Sequence, residues 1–449
     1  MILGTKEKIS LSGHFDAGSI GELLEADGAL SFKFDALSLY AFSPWIDYPL
    51  IIKDGTGSLS INVELENGKL KKGGSSFSVQ NLNANTINNH KQDLVFKDIS
   101  GEFKYKLVND DINIILDNLF LTTNSKLQFE DSAASIKYNF ETNQINKATL
   151  VIDRFDLGSV KEISNQFLPE EHRANVIINK LSAKGEIDNL KLKWARTSDG
   201  EEPSLKLKAK FLEIEINEFE SFPGLKNLTG EVNIENEKGI IRSVSRDVKI
   251  TKEDVFRAPL QLNQFSGSVN WDNQKYSFND VTVKDDYMEA IFNGTVKYES
   301  LDNLYVDINI DSPTLNIPNF KVYYPKQIGE DGLGWLDTSL LEGTAENTNI
   351  QMKGKVKDFP FIDENNKPDL SKGYFRVRSS VKDSFIEYGD NWPEMEKFDA
   401  EIIVDGGDVF ITSQKGELDK SQIKIFNGAI TPFTADEVVL NIDTILDSS

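Results

Sequence analysis

Apolar and polar residues alternate singly along most of this chain. In NLYVDINID, Leu304, Val306, Ile308 and Ile310 share one face of an extended segment, while Tyr305, Asp307 and Asn309 share the other. SLKLKAKF is as regular, with Leu205, Leu207, Ala209 and Phe211 set against Lys206, Lys208 and Lys210. Val232 and Ile234 alternate with Glu231, Asn233 and Glu235. Ile112, Ile114 and Leu116 alternate with Asn113 and, less tidily, with Ile115. Val269 with Trp271, and Phe375 with Val377, continue the pattern. Successive side chains of a strand point to opposite faces, so a period of two predicts strands with one dry and one wet face. Turn signals such as ENGK, ENEKG, WDNQK and DGGD separate the runs. Strands recurring at roughly eight-to-twelve-residue intervals are the pattern of an antiparallel all-β chain.

Helical signals are few. The segment 157–171 predicts a short helix ending near Pro169. The segment 325–343 predicts another, with Leu333, Leu336, Leu340 and Leu341 near helical spacing, Trp335 among them and Gly343 as a stop. GSIGELLEA (18–26) is ambiguous between helix and strand.

The strand-turn-strand unit repeats. FPGLKNLTGEVNIENEKGIIRS from Phe222 and WPEMEKFDAEIIVDGGDVFITS from Trp392 share one layout: an aromatic-Pro corner, a short link, a strand, a polar turn and a second strand. Weaker echoes start at Ile99 and Phe265. A chain that repeats strands without repeating a polar cluster builds a surface rather than an active site. One-faced strands throughout its length create a long apolar face. A second sheet can cover that face, a barrel can close it, or a curved sheet can leave part of it as a groove.

Composition narrows the partners. With 449 residues the chain exceeds one ordinary compact core. A net charge of −23, spread along the length, opposes nucleic-acid binding, which needs clustered Lys and Arg. The absence of cysteine excludes disulfides, thiolate catalysis and Cys-ligated zinc. No apolar run of about 18 residues is present to span a bilayer as a helix. MILGTKEKIS at the start lacks the apolar core of a signal peptide.

Candidate chemistry is sparse. His14, His90 and His172 have no second histidine at metal-ligand spacing, so no metal is expected. No G-x-S-x-G elbow supports a triad. GTG (55–57) and GLG (332–334) lack a downstream phosphate-loop pattern and read as turns. DENNKPD (363–369) lacks the bend glycine and closing glutamate of a calcium loop. Tryptophans 45, 194, 271, 335 and 392 stand near strand ends or in the helical segment and read as aromatic plugs. An enzyme on a β-solenoid would need short, regular coils, and these repeats are long and irregular. No enzymatic activity and no cofactor are expected.

Five segments, in one order over about residues 155–430, resemble the YhdP branch of the AsmA-like envelope proteins of Gram-negative bacteria. They are LSAKGEIDNLKLKWA (181–195), FPGLKNLTGEVNIENEKGIIRSVSRDVKI (222–250), VFRAPLQLNQFSGSVNW (255–271), YYPKQIGEDGLGWLDTSLLEGTAENTNIQMKGKVKDFPF (323–361) and FIEYGDNWPEMEKFDAEIIVDG (385–406). Residues 1–150 fit more loosely as an N-terminal β-repeat section. Residues 151–321 read as a middle section, 322–343 as a helical insert and 344–449 as a C-terminal β-repeat section. The resemblance implies a mainly β fold: elongated, curved antiparallel sheet repeats forming a hydrophobic trough. It also implies a middle section of a periplasmic protein, tethered to the inner membrane by a segment absent from this chain.

What the family does implies a lipid conduit between inner and outer membranes. Phospholipid acyl chains are the expected ligand, with membranes met at the ends of the full-length protein. The dry positions named above, Ile112, Ile114, Leu116, Leu205, Leu207, Phe211, Val232, Ile234, Val269, Trp271, Leu304, Val306, Ile308, Ile310, Phe375 and Val377, become the candidate groove lining. Leu333, Trp335, Leu336 and Leu340 become a candidate cap. The alternative is a periplasmic spacer that supports outer-membrane integrity, in which the same residues are a sealed core.

Overall fold

The computed structural model describes residues 8–16, 19, 26–42, 50–86, 89–123, 128–197, 203–219, 223–300, 303–324, 326, 330–365, 367–387, 393–430 and 440–447. The described residues are mainly β, with twenty-two strands from Lys8–Asp16 to Leu440–Asp447. The chain divides into two compact units, Met1–Asn217 with Glu231–Asn236, and Glu218–Gly230 with Glu237–Ser449.

In both units strands that follow one another in sequence pair antiparallel, as the alternation predicts. In the first, Asp111–Thr123 lies between Asn89–Val108 and Gln128–Asn139. In the second, Leu304–Asn316 lies between Met288–Tyr298 and Leu340–Lys355. No second sheet faces either one among the described residues, so neither a sandwich nor a closed barrel is formed. The Asn67–Gly68 turn, with positive φ at both residues, is the favoured tight hairpin connection.

The alternation carries a slip that a strict period of two does not predict. Near the middle of many strands one residue adopts the left-handed conformation, and the pairing register shifts there. The local sequence is dry, wet, left-handed, dry. Val79-Gln80-Asn81-Leu82, Leu116-Asp117-Asn118-Leu119, Phe278-Asn279-Asp280-Val281 and Val381-Lys382-Asp383-Ser384 are examples. Asn and Asp tolerate this backbone better than other non-glycine residues. Each such residue is a bulge, which bends its strand. Bulges aligned across neighbouring strands crease the sheet and keep the dry positions on one side of it. Buried serines satisfy carbonyls along the crease of the second unit. The Oγ atoms of Ser245, Ser312 and Ser384 donate to the carbonyls of Thr229, Glu289 and Phe398 at 3.0, 2.7 and 2.7 Å.

Helical connections cover one side of the crease. They include α1 (Leu39–Phe42), α2 (Gly158–Phe167), α3 (Arg173–Leu181), a 3-10 turn (Pro318–Tyr323) and α4 (Glu330–Ser339). In the first unit Leu39 of α1 packs against the Ile52, Leu82, Ala84 and Phe96 core, and α2 lies on the strand Asn89–Val108. In the second, Phe320, Tyr323 and Leu340 pack against Val248, Leu262, Val283, Met288 and Leu315. The helices predicted at 157–171 and 325–343 correspond to α2 and α4, whereas α1 and α3 carried no sequence signal. Within the segment 18–26, residues 18 and 20–25 lie outside the described residues, as do Trp45 and Trp392.

Candidate functional site: an open apolar half-face

The crease divides each dry face into a covered half and an open half. In the second unit the covered half is sealed, with Val248 and Leu262 at 0% and 1% exposure. The open half lies between the crease and the tight turns. There Ile308 stands opposite Gly294 and Met352, and Met352 opposite Phe375. Ile310 faces Phe292 and Ile350, and Ile350 faces Val377 and then Val404. Val269 pairs with Ile241 and Phe278, and Trp271 with Gly239 and Tyr276. Eight predicted positions, Val269, Trp271, Leu304, Val306, Ile308, Ile310, Phe375 and Val377, are thereby brought onto one surface. All are half-buried except Val306, which is buried. At the crease the surface dips into a concavity of about 310 Å³ bounded by Phe278, Val281, Val283, Phe292, Val296 and Ile308.

The first unit repeats the arrangement. One row runs Ile114, Ile136, Ala148, Trp194, Leu205, and the next runs Leu116, Ala134, Leu150, Leu192, Leu207. Ile112 faces Tyr138, and Phe211 faces Ile187. Phe211 is buried and Leu205 is exposed. Val232 and Ile234 are half-buried between exposed Glu231, Asn233 and Glu235. A larger concavity, about 630 Å³, lies over Gly13, Leu30, Val63, Gly73 and Tyr105.

The opposite face is charged and paired with itself. Lys353 contacts Asp307 at 2.8 Å, Lys137 contacts Asp111 at 2.6 Å and Lys238 contacts Asp272 at 2.9 Å. The Asn349 amide bridges Asn309 and Asp311 at 2.8 and 2.7 Å. Covering this face with hydrocarbon would strip water from charges, so only the dry face is suited to apolar ligands.

Two devices bound the open half-face of the second unit. At the turn end, the loop after Leu340–Lys355 folds Phe361 onto the sheet at 1% exposure. Phe359 meets the Phe361 and Phe375 rings edge-on at 6.1 and 5.3 Å. The DENNKPD loop beyond it is organised by Asp363, whose carboxylate accepts from the backbone amides of Lys367 and Asn365 at 2.9 and 2.8 Å. Those bonds hold its carboxyl below the usual range.

At the other end a latch fixes the helical insert. The Arg257 guanidinium binds both Asp337 oxygens, at 2.6 and 3.0 Å, and donates to the Lys321 carbonyl at 2.8 Å. The Lys321 ammonium reaches the Asp337 carbonyl at 2.6 Å. Tyr323 donates its hydroxyl to Asp285, and burial pushes that phenol far above its usual value. Leu333, Leu336 and Leu340 are half-buried in this region, while the Trp335 side chain lies outside what is described. Hydrogen bonding from Arg257 holds the Asp337 carboxyl below its ordinary range. The sign follows: a depressed folded value stabilises above the unfolded value, about 3.9, and the contribution is lost as pH falls through the folded value beneath it. Hydrogen exchange of residues 318–339, corrected for intrinsic rates, should hold steady from about pH 7 to 5 and rise below about 4. Arg257→Ala should raise it at neutral pH, by about the worth of one partly exposed ion pair, on the order of 1 kcal/mol. An unchanged exchange rate in that variant would show that the latch does not hold the insert.

Among the described residues there is no group of three His, Cys, Asp or Glu side chains placed to hold a metal, and no helix is long and apolar enough to cross a membrane. Fold and surface together define a class: open antiparallel β-repeat proteins with an amphipathic sheet, apolar and partly uncovered on one side. Within that class the chain belongs to the YhdP family, whose description, YhdP protein, matches residues 5–449. It is similar to a protein of Escherichia coli (strain K12) named intermembrane phospholipid transporter YhdP, with 21% identity over 204 residues. That stretch covers 44% of this chain and 15% of the relative, so the comparison spans a small part of the relative's length. No solved structure matches.

Proposed function

We propose that this chain is a section of a conduit that carries phospholipid between the inner and outer membranes along the open half-face, without catalysis. The observation that carries this reading is the run of half-buried apolar rows, uncovered by any second layer among the described residues, on a sheet whose other face is charged. The name of the Escherichia coli relative supports the same cargo. Each acyl methylene kept from water is worth about 0.8 kcal/mol. A lipid leaving a bilayer loses that contact, and an apolar surface repeated strand after strand restores it at every step. The free-energy profile stays shallow, and the lipid slides across the strands. The work takes place in the periplasm, with membranes at the ends of the full-length protein.

The spacer reading requires both halves of the dry face to be sealed. Photo-crosslinking in cells separates the two. A crosslinker at Ile308 of the full-length protein should capture phospholipid, and one at its wet-face neighbour Asp307 should not. Lipid captured at neither position, with Met352 equally silent, would leave the spacer as the working account.

A further inference from the structure

The open half-face changes character from crease to rim. Near the crease it is aliphatic and Phe-lined. Beside the turns of Leu260–Asp272, Lys275–Lys284 and Met288–Tyr298, tryptophan and tyrosine take over, whereas phenylalanines hold the turn end of Leu340–Lys355 and Gly373–Ile386. In the second unit Trp271 and Tyr276 face each other across the turn at Asn273, and Tyr298 stands one strand further at the next turn. The Trp271 indole lies where a side chain on Gly239 would stand. In the first unit Tyr105, Tyr138 and Trp194 occupy the matching strand ends. Tyr276 and Tyr298 are 38% and 40% exposed, and their hydroxyls have no protein partner among the described residues. The covered half differs, because its Tyr323 hydroxyl is bonded internally to Asp285. Rings with an apolar body and a polar tip, half in water, are the side chains that settle where hydrocarbon meets lipid headgroups.

Resting on the conduit reading, we infer that this turn-side rim is a subsite for the glycerol-ester and phosphate region of a two-chain phospholipid, whose acyl chains lie along the strands toward the crease. Distances agree. From Tyr298 to Phe292, beside the crease, six residues span about 20 Å at roughly 3.3 Å each. One leaflet of hydrocarbon, half of a core about 30 Å thick, is about 15 Å. An acyl chain laid transversely therefore fits between rim and crease, and the lipid travels sideways from strand to strand with its headgroup over the rim. The free phenols of Tyr276 and Tyr298 donate to ester or phosphate oxygens, and Trp271 packs against the glycerol.

The test uses two phosphatidylethanolamine probes that differ only in where the diazirine sits, at the acyl terminus or on the headgroup. Each is supplied to the whole chain in phosphatidylethanolamine–phosphatidylglycerol vesicles, and labelled peptides are mapped by mass spectrometry. Because Tyr276 shares a peptide with Phe278, and Tyr298 with Ile308, fragment spectra assign each label to a residue: the headgroup probe is expected on Tyr276 and Tyr298 themselves, and the tail probe on Phe278, Phe292 and Ile308. Tyr276→Leu with Tyr298→Leu should lower headgroup labelling about fivefold, the loss of two hydrogen bonds, and leave tail labelling of Ile308 unchanged. Headgroup label on the insert at 318–339, or label spread evenly from rim to crease, overturns the orientation and leaves the conduit standing. Absence of label from both probes overturns the conduit as well.

Discussion

Gly354→Val is expected to lose about 3–5 kcal/mol of stability in the second unit, the scale of losing a buried phenylalanine. Gly354 has φ of +135°, a region closed to residues with a side chain, so strain alone supplies about 1–3 kcal/mol of that loss. A Cβ there would stand 2.5 Å from the Phe361 ring and 2.5 Å from the Lys372 carbonyl oxygen. Phe361 sits in the space the missing side chain leaves, so valine expels it and with it the Phe359–Phe361 cap. Gly334→Ala is the matched control: nothing lies within 4 Å of the added atom on α4, and helix propensity predicts a gain of up to about 1 kcal/mol. Denaturant midpoints of the two variants give the comparison. A Gly354→Val protein melting with the wild type would mean that Phe361 does not depend on the glycine.

Much of this fold could be read from the sequence, for a local reason. Period two is set by the backbone alone, so the faces of Leu304–Ile310 or Leu205–Phe211 follow from short windows. Ile115, apolar in a wet position, is exposed in the strand as its phase requires. The crease escaped notice because alternation is correct on both sides of each bulge and fails only across it. A signal was there: two polar residues in succession, the second usually Asn or Asp, between apolar positions. Helix α3 escaped for a different reason. Its Asn175 and Asn179 are poor helix formers, and pairing across to α2 compensates, with Asn179 and Asn165 exchanging amide bonds at 2.6 and 3.3 Å and Ser164 donating to Asn175 at 2.9 Å.

Which dry residues are open and which are sealed is a tertiary property. Val248 and Val269 look alike in sequence, and Val248 is buried by a helical insert that enters the chain some seventy residues later. Arg257 and Asp337 stood in two separate resembling segments, and only the fold joins them as one latch. The aromatic rim was legible as tryptophans near strand ends, but not as a boundary, since the boundary exists only once the turns of neighbouring strands lie side by side.

On the proposed conduit reading, a single charge on the open half-face should block traffic without unfolding the sheet. Ile308 is half-buried and borders the concavity at the crease, so an aspartate there keeps contact with water and the strand pairing with Gly294 and Met352 is retained. A lipid passing that point must lift about three methylenes off the surface, roughly 2–3 kcal/mol. Barriers of that height slow passage by about fiftyfold. Ile308→Asp in the full-length protein is therefore expected to reduce phospholipid transfer between donor and acceptor membranes by about that factor, with an unchanged circular dichroism spectrum. Met352→Asp, on the neighbouring strand, should do the same, because a conduit one lipid wide has no detour around either position. Asp307→Asn, on the wet face, removes only the exposed pair with Lys353, worth at most about 1 kcal/mol, and should leave transfer intact. Transfer surviving both dry-face aspartates in folded protein would place the path elsewhere. Loss in the Asp307→Asn variant alone would put the cargo on the charged face.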